Sequence, residues 1–196
     1  MQKDNFILII AIVVVALALF NLTFNLTKFT GYVSDTGDVN LTVETATSIN
    51  FSNSAINWGA GKVNVGETNA TLDTEGSVDK GNWTTVTTGL IIENIGNINV
   101  SIDLKTGKNA SSFIGGTGPG YSWKIQNNET DSCSHNETTL EDVYNTTSLT
   151  DIRACGNFSH EADNNQIVID INITVPSDSL KGARTDTITA TATASA

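Results

Sequence analysis

Apolar residues fall along this chain in two rhythms. Residues Phe6–Phe20 read FILIIAIVVVALALF, fifteen positions without a polar member. Beyond residue 30 the apolar residues alternate with polar ones. The clearest runs are Val39-Asn-Leu-Thr-Val43, Asn97-Ile-Asn-Val-Ser-Ile-Asp-Leu104 and Ile167-Val-Ile-Asp-Ile-Asn-Ile-Thr-Val175. A period of two sends alternate side chains to opposite faces of a strand, one toward a core and one toward water. Further strands are expected at Ser48–Phe51, Ile56–Trp58, Thr68–Leu72, Asn82–Glu93, Ser122–Gln126 and Thr185–Ala194. Turn formers separate them: Gly59-Ala-Gly61, Glu75-Gly76, Asn94-Ile-Gly-Asn97, Gly115-Gly-Thr-Gly-Pro-Gly120 and Pro176-Ser-Asp178.

Short strands at this spacing predict a mainly β fold, an antiparallel Ig-like or jelly-roll-like β-sandwich preceded by one N-terminal hydrophobic α-helix. No sustained helical period follows residue 30, although Asp142–Thr150 can form a short helical turn. The chain thus divides into a helix at 1–30 and a β-sandwich domain at 31–196, an ordinary size for one core. In the last expected strand Thr lines one face, and Ile188, Ala190, Ala192 and Ala194 line the other. That strand can close its own sheet or pair with the sheet edge of a neighbouring subunit.

As a helix the apolar run is about 22 Å long, whereas a bilayer core takes about 20 residues. Three roles fit it. It can be a cleaved secretory signal, since Ala16-Leu-Ala18 has the A-x-A form. It can be a signal anchor with the domain outside, or a helix that leaves the membrane and packs with copies of itself. Asn21 and Asn25 follow the run one turn apart. With sugar on both, the helix ends near Phe20; bare and helical to Leu26, they leave a simple anchor open.

Composition narrows the setting. Charged residues make up only 16% of the 196, against about 25% in soluble domains. Thr, Asn and Ser number 28, 22 and 16 and take over the polar surface. The net charge is −11, with ten thinly spread cations, which argues against a nucleic-acid partner, because phosphate neutralisation needs clustered Lys and Arg. Thirteen Asn begin an N-x-S/T triplet without a central Pro: Asn21, Asn25, Asn40, Asn50, Asn69, Asn82, Asn99, Asn109, Asn128, Asn136, Asn145, Asn157 and Asn172. Chance alone would give about five from this composition, so each is a candidate N-glycosylation site in an exported protein. N-linked glycans are the only added groups expected; no cofactor is.

Cys133 and Cys155 are the two cysteines, and in an exported domain they most simply form one disulfide. The stretch between them is polar and reads as a long surface insertion. Candidate catalytic groupings do not emerge. There is no G-x-S-x-G elbow, no H-E-x-x-H and no phosphate-binding loop, and His135 and His160 lack metal-ligand spacing. Glu141, Asp142, Glu161 and Asp163 read as solvated loop acids. Asp163-Asn-Asn165 lacks an EF-hand loop and reads as a turn. Trp58, Trp83 and Trp123 fall in or beside strands and read as core, with sugar binding as the alternative. The chain is accordingly expected not to be an enzyme.

A short polar start, an aliphatic helix and a sequon-dense β domain together resemble archaeal surface filament subunits, the type IV pilin-like proteins and archaellins. Gly89-Leu-Ile-Ile-Glu-Asn-Ile-Gly-Asn-Ile-Asn-Val-Ser-Ile102 and the Thr-rich end from Val175 to Thr193 carry the likeness further. Lys3-Asp4 departs from the prepilin cleavage pattern, and no acid lies inside Phe6–Phe20. The resemblance implies a structural, extracellular homopolymer. Its helices start in the cytoplasmic membrane and then pack in a core, with glycosylated β domains outside. A membrane-anchored monomeric surface glycoprotein, a donor-strand (thread-type) filament subunit and a secreted carbohydrate-binding module remain the alternatives.

Overall fold

The computed structural model of the chain describes residues 2–26, 41–134 and 142–195, with side chains from residue 7 to 20 in the first of these stretches. Two compact units form, Met1–Val43 and Glu44–Ala196. The first contains helix α1, Gln2–Leu26. It runs past the apolar stretch and through Asn21 and Asn25. Apolar residues occupy all its faces, and the large ones from Ile7 to Phe20 are 48 to 66% exposed. Among the described residues no helix is long and apolar enough to cross a membrane, so the expected transmembrane helix is not found. The run free of polar residues falls short of the roughly 20 that a bilayer core takes.

The second unit is mainly β. Its strands are β1 (Ile49–Asn53), β2 (Asn69–Asp73), β3 (Val78–Asp79), β4 (Leu90–Asn94), β5 (Val100–Thr106), β6 (Gly120–Asn127), β7 (Asn145–Thr146), β8 (Ile152–Phe158), β9 (Gln166–Pro176) and β10 (Ile188–Ala194). A single helical turn, α2 (Ala110–Phe113), precedes β6. All pairings are antiparallel, and the sheets curl into a half-barrel.

The centre of the larger sheet is β9. One of its edges is shared by two short strands: β4 pairs Gln166–Ile169 and β2 pairs Asn172–Pro176. The other edge takes β6 from Gly120 to Asn127. β1, β3 and β7 extend the sheet from β4, β2 and β6. The smaller sheet has the order β10-β5-β8. Between the sheets lie Leu72, Ile92, Ile102, Leu104, Trp123, Phe158, Ile167 and Ile169, all fully buried. They come from alternate positions of their strands, as a period of two requires.

Where β4 hands over to β2, the ladder would leave backbone groups of β9 without partners. Thr74 fills the gap. Its N–H donates to Ile171 O at 3.0 Å, and its Oγ1 accepts from Ile171 N at 3.0 Å. Gly89 makes the neighbouring approach possible: a Cβ there would sit 2.3 Å from Ile169 O.

Several expected strands differ. The described part of the 39–43 run, Leu41 to Val43, joins no ladder among the described residues; residues 39 and 40 lie outside them. Ile56–Trp58 packs against the core but joins no ladder. Of Asn82–Glu93 only the end becomes β4. Before it, Asn82 N and Thr84 N make isolated bonds to Lys62 O and Trp58 O. Asp142–Thr150 forms a turn and β7 instead of a helix. The stretch between the cysteines is also no mere surface insertion, because it contributes β7 and the first three residues of β8, with Ala154 in the core beside Cys155. Its inward residues are few and small, so no alternation marked it.

Candidate functional site

Nine of the thirteen sequons fall on described side chains, and none of the nine Asn is buried. Asn50, Asn82, Asn109 and Asn128 are exposed, while Asn69, Asn99, Asn145, Asn157 and Asn172 are half-buried. Asn40 and Asn136 lie outside the described residues, as do the side chains of Asn21 and Asn25. A sugar attaches through the side-chain nitrogen, so the partners of that atom matter. Asn109 caps α2 by accepting from Ser112 N through Oδ1 at 2.9 Å. Asn82 accepts from Lys62 N through Oδ1 at 2.7 Å. Both bonds engage Oδ1, and both residues are exposed.

Asn99 and Asn157 are placed differently. Asn99 Nδ2 donates to Asn157 Oδ1 at 3.0 Å, and Asn99 Oδ1 lies 2.7 Å from His160 Nδ1. Asn157 Nδ2 donates in turn to Ser134 Oγ at 2.9 Å. Asn128 Nδ2 also donates, to Gln166 Oε1 at 2.9 Å. The cysteines do pair: Cys133 and Cys155 form a disulfide with Cα atoms 5.9 Å apart, both buried beside Phe158.

A polar cluster covers the outer face of the larger sheet. Lys124 and Asp170 face each other in the β6–β9 register, and both are buried. Lys124 Nζ donates to Glu75 Oε1 at 2.7 Å and lies 5.0 Å from the Tyr144 ring centre. Tyr144 donates to Glu75 Oε2 at 3.1 Å. The Lys124 hydrogen bond holds the Glu75 carboxyl below its usual range. Burial pushes the Asp170 carboxyl up, against the opposing hydrogen bond from Thr74. Burial, reinforced by Glu75, raises the Tyr144 hydroxyl. Every charge here has a partner inside the cluster, so it reads as a structural clamp between β6, β9 and the Thr74 splice. Among the described residues there is no group of three or more metal-ligating side chains.

A cleft of about 1340 Å³ opens in the second unit. Its floor includes Ile114, Tyr121, Ile171 and Ile173, and its walls Phe51, Trp58, Trp83 and Phe113. Only Trp123 of the three tryptophans is fully buried in the core; the other two are half-buried in these walls. Trp83 lies flat on Gly61, where a Cβ would approach its ring to 2.3 Å. Burial raises the Tyr121 hydroxyl, and the adjacent Asp186 carboxylate adds to the effect.

The lips of the cleft are two runs outside the ladders, at 54–59 and 183–187, in which Trp58 O and Thr187 O accept single bonds from Thr84 N and Gly107 N. Its charged lining residues are Lys62, Lys181, Arg184 and Asp186. Lys80, Lys105, Lys124 and Arg153 are each bridged to an acid elsewhere. None of the three cleft cations has a described carboxylate within 4 Å. The alternation of 49–58 was legible, but the cleft was not, since its two lips lie more than a hundred residues apart in sequence. Comparison with known protein families, with curated proteins and with solved structures finds no match to this chain.

Proposed function

We propose that the chain is the structural subunit of an extracellular filament of the archaeal pilin-like kind, with helices packed as an apolar core and β units as its wall. The observation that carries this reading is α1. Its aliphatic side chains cover every face and stand exposed, and each is worth about 1.5–3 kcal/mol when taken from water. Such a helix needs cover from lipid or from its own kind, and within a membrane close packing between helices takes over as the driving term.

Other features agree with the reading. The disulfide fits an oxidising compartment outside the cell. Four exposed sequon Asn suit a sugar-coated surface. The curled antiparallel sheets suit an Ig-like or jelly-roll-like wall domain. The test is electron microscopy of the native surface with an antibody against the β unit. Labelled filaments are expected; a surface that carries the chain without filaments would sink the proposal. Trp58 and Trp83 in the cleft walls favour one second reading, a carbohydrate-binding module. Glycan binding lost on Trp58→Ala or Trp83→Ala would support it.

A further inference from the structure

The cleft and the unpaired run at residues 41–44 have complementary features. Leu41 is 85% exposed and Val43 is 74% exposed, two alternate apolar residues of a run that joins no ladder among the described residues. Glu44 follows them and is exposed. The run is held at its downstream end: Glu44 O accepts from Asn97 Nδ2 at 2.9 Å, and Ala46 N donates to Asn97 Oδ1 at 2.7 Å. The cleft offers the counterpart, with an apolar floor, two lips that join no ladder, and three cations against one acid, Asp186, in its lining, none of the three in an ion pair among the described residues.

We infer that the Leu41–Glu44 run of one copy seats as an added strand in the cleft of a second copy. Strand addition draws on main-chain hydrogen bonds along an unpaired edge and on pockets for alternate side chains. Leu41 and Val43 would face the apolar floor, while Thr42 faces outward. Glu44 would meet Lys62, Lys181 or Arg184 at the rim. The chain carries −11 overall, so three cations against one acid in a single cleft favour an acidic partner of the kind every other copy supplies. This contact rests on the filament reading and adds a lateral link between β units to the packing of the helices.

The test uses full-length chain with its native disulfide intact and mixes two single-cysteine variants, Thr42→Cys in one and Ala183→Cys or Ala60→Cys in the other. Mild oxidation should give a linked dimer at least tenfold above a control in which the second partner carries Val65→Cys, an exposed site outside the cleft. Adding Leu41→Asp and Val43→Asp to the Thr42→Cys chain should return the yield to the control level. A yield no higher than the control overturns the inference, as does a yield indifferent to the two added acids. Placing both cysteines in one chain separates the remaining case: a bond only within that chain means the run fills its own cleft, which also overturns it. Labelled filaments without the bond leave the filament reading standing and remove this contact; the bond without filaments does the reverse.

Discussion

Thr74 Oγ1 donates to Asp170 Oδ1 at 2.7 Å, and the same oxygen accepts from the backbone of Ile171. One hydroxyl thus closes the gap where two strands share a single edge of β9. Thr74→Val keeps the shape and removes both bonds, leaving a buried carboxylate and a buried N–H unpaired. Each such loss costs about 1–3 kcal/mol, so a combined loss of roughly 3 kcal/mol is expected in urea unfolding. Thr74→Ser should retain most of the stability. A Val variant as stable as the parent would refute the splice.

Asp170 itself gives a pH signature. Its folded-state carboxyl titrates above its ordinary 3.8 because it is buried. The folded state therefore holds a proton that the unfolded state has already released. Stability contributed at low pH is lost as pH rises from 3.8 through the raised value. Asp170→Asn can still accept from Thr74 and removes that dependence. Relative to Asp170→Asn, the parent should lose stability over this window and then level off. Glu75 runs the other way, because its lowered carboxyl stabilises the fold above its ordinary value and that contribution fades as pH falls. Thermal unfolding of both chains between pH 3 and pH 7 reads the difference.

The disulfide closes a separation of 22 residues. Loop-closure entropy puts its contribution at about 3 kcal/mol. Both sulfurs belong to buried residues, so the paired change Cys133→Ala with Cys155→Ala adds a loss of packing to the loss of the cross-link. The variant should unfold at clearly lower denaturant than the oxidised parent. Equal midpoints would show that the loop is held by other contacts.

Glycopeptide mapping of the native protein should find sugar at Asn50, Asn82 and Asn109, whose side chains are exposed. Asn99 and Asn157 should be bare, because a glycan on either would displace the chain of bonds running from His160 to Ser134. Full occupancy at Asn99 would contradict that network.

Gly89 offers a steric test. An added methyl would meet the carbonyl oxygen of Ile169 at 2.3 Å, and this backbone atom cannot move without parting β4 from β9. Gly89→Ala should cost at least the 1–3 kcal/mol typical of an overpacked core. At Gly66, where the added atom meets nothing within 4 Å, alanine brings backbone strain alone.

The sequence made the long central strand legible because Ile167, Ile169, Ile171 and Ile173 repeat at every second position and all are buried. β5, β6 and β10 were legible for the same reason. β8 was not, since IRACGNF alternates poorly and its inward residues include Ala154 and Cys155. Leu41-Thr-Val43 alternates perfectly and still joins no ladder among the described residues, because periodicity reports a face that wants cover and is silent about what covers it. The sequons were visible as triplets, but the engagement of Asn99 with Asn157, 58 residues apart, is a tertiary fact. The cleft likewise appears only once the lips at 54–59 and 183–187 are brought to one place.

The sharing of β9 by β2, β4 and β6 also sets a timetable for synthesis. β2 leaves the ribosome roughly a hundred residues before the strand it must pair with. At about 5–20 residues per second, that is a wait of about 5–20 s in which the middle of the larger sheet has no template. β1 and β4, and β5 and β8, can pair earlier, but the two halves of the larger sheet are joined only when residues 166–176 are made, so the last quarter of the chain is the clasp of the fold.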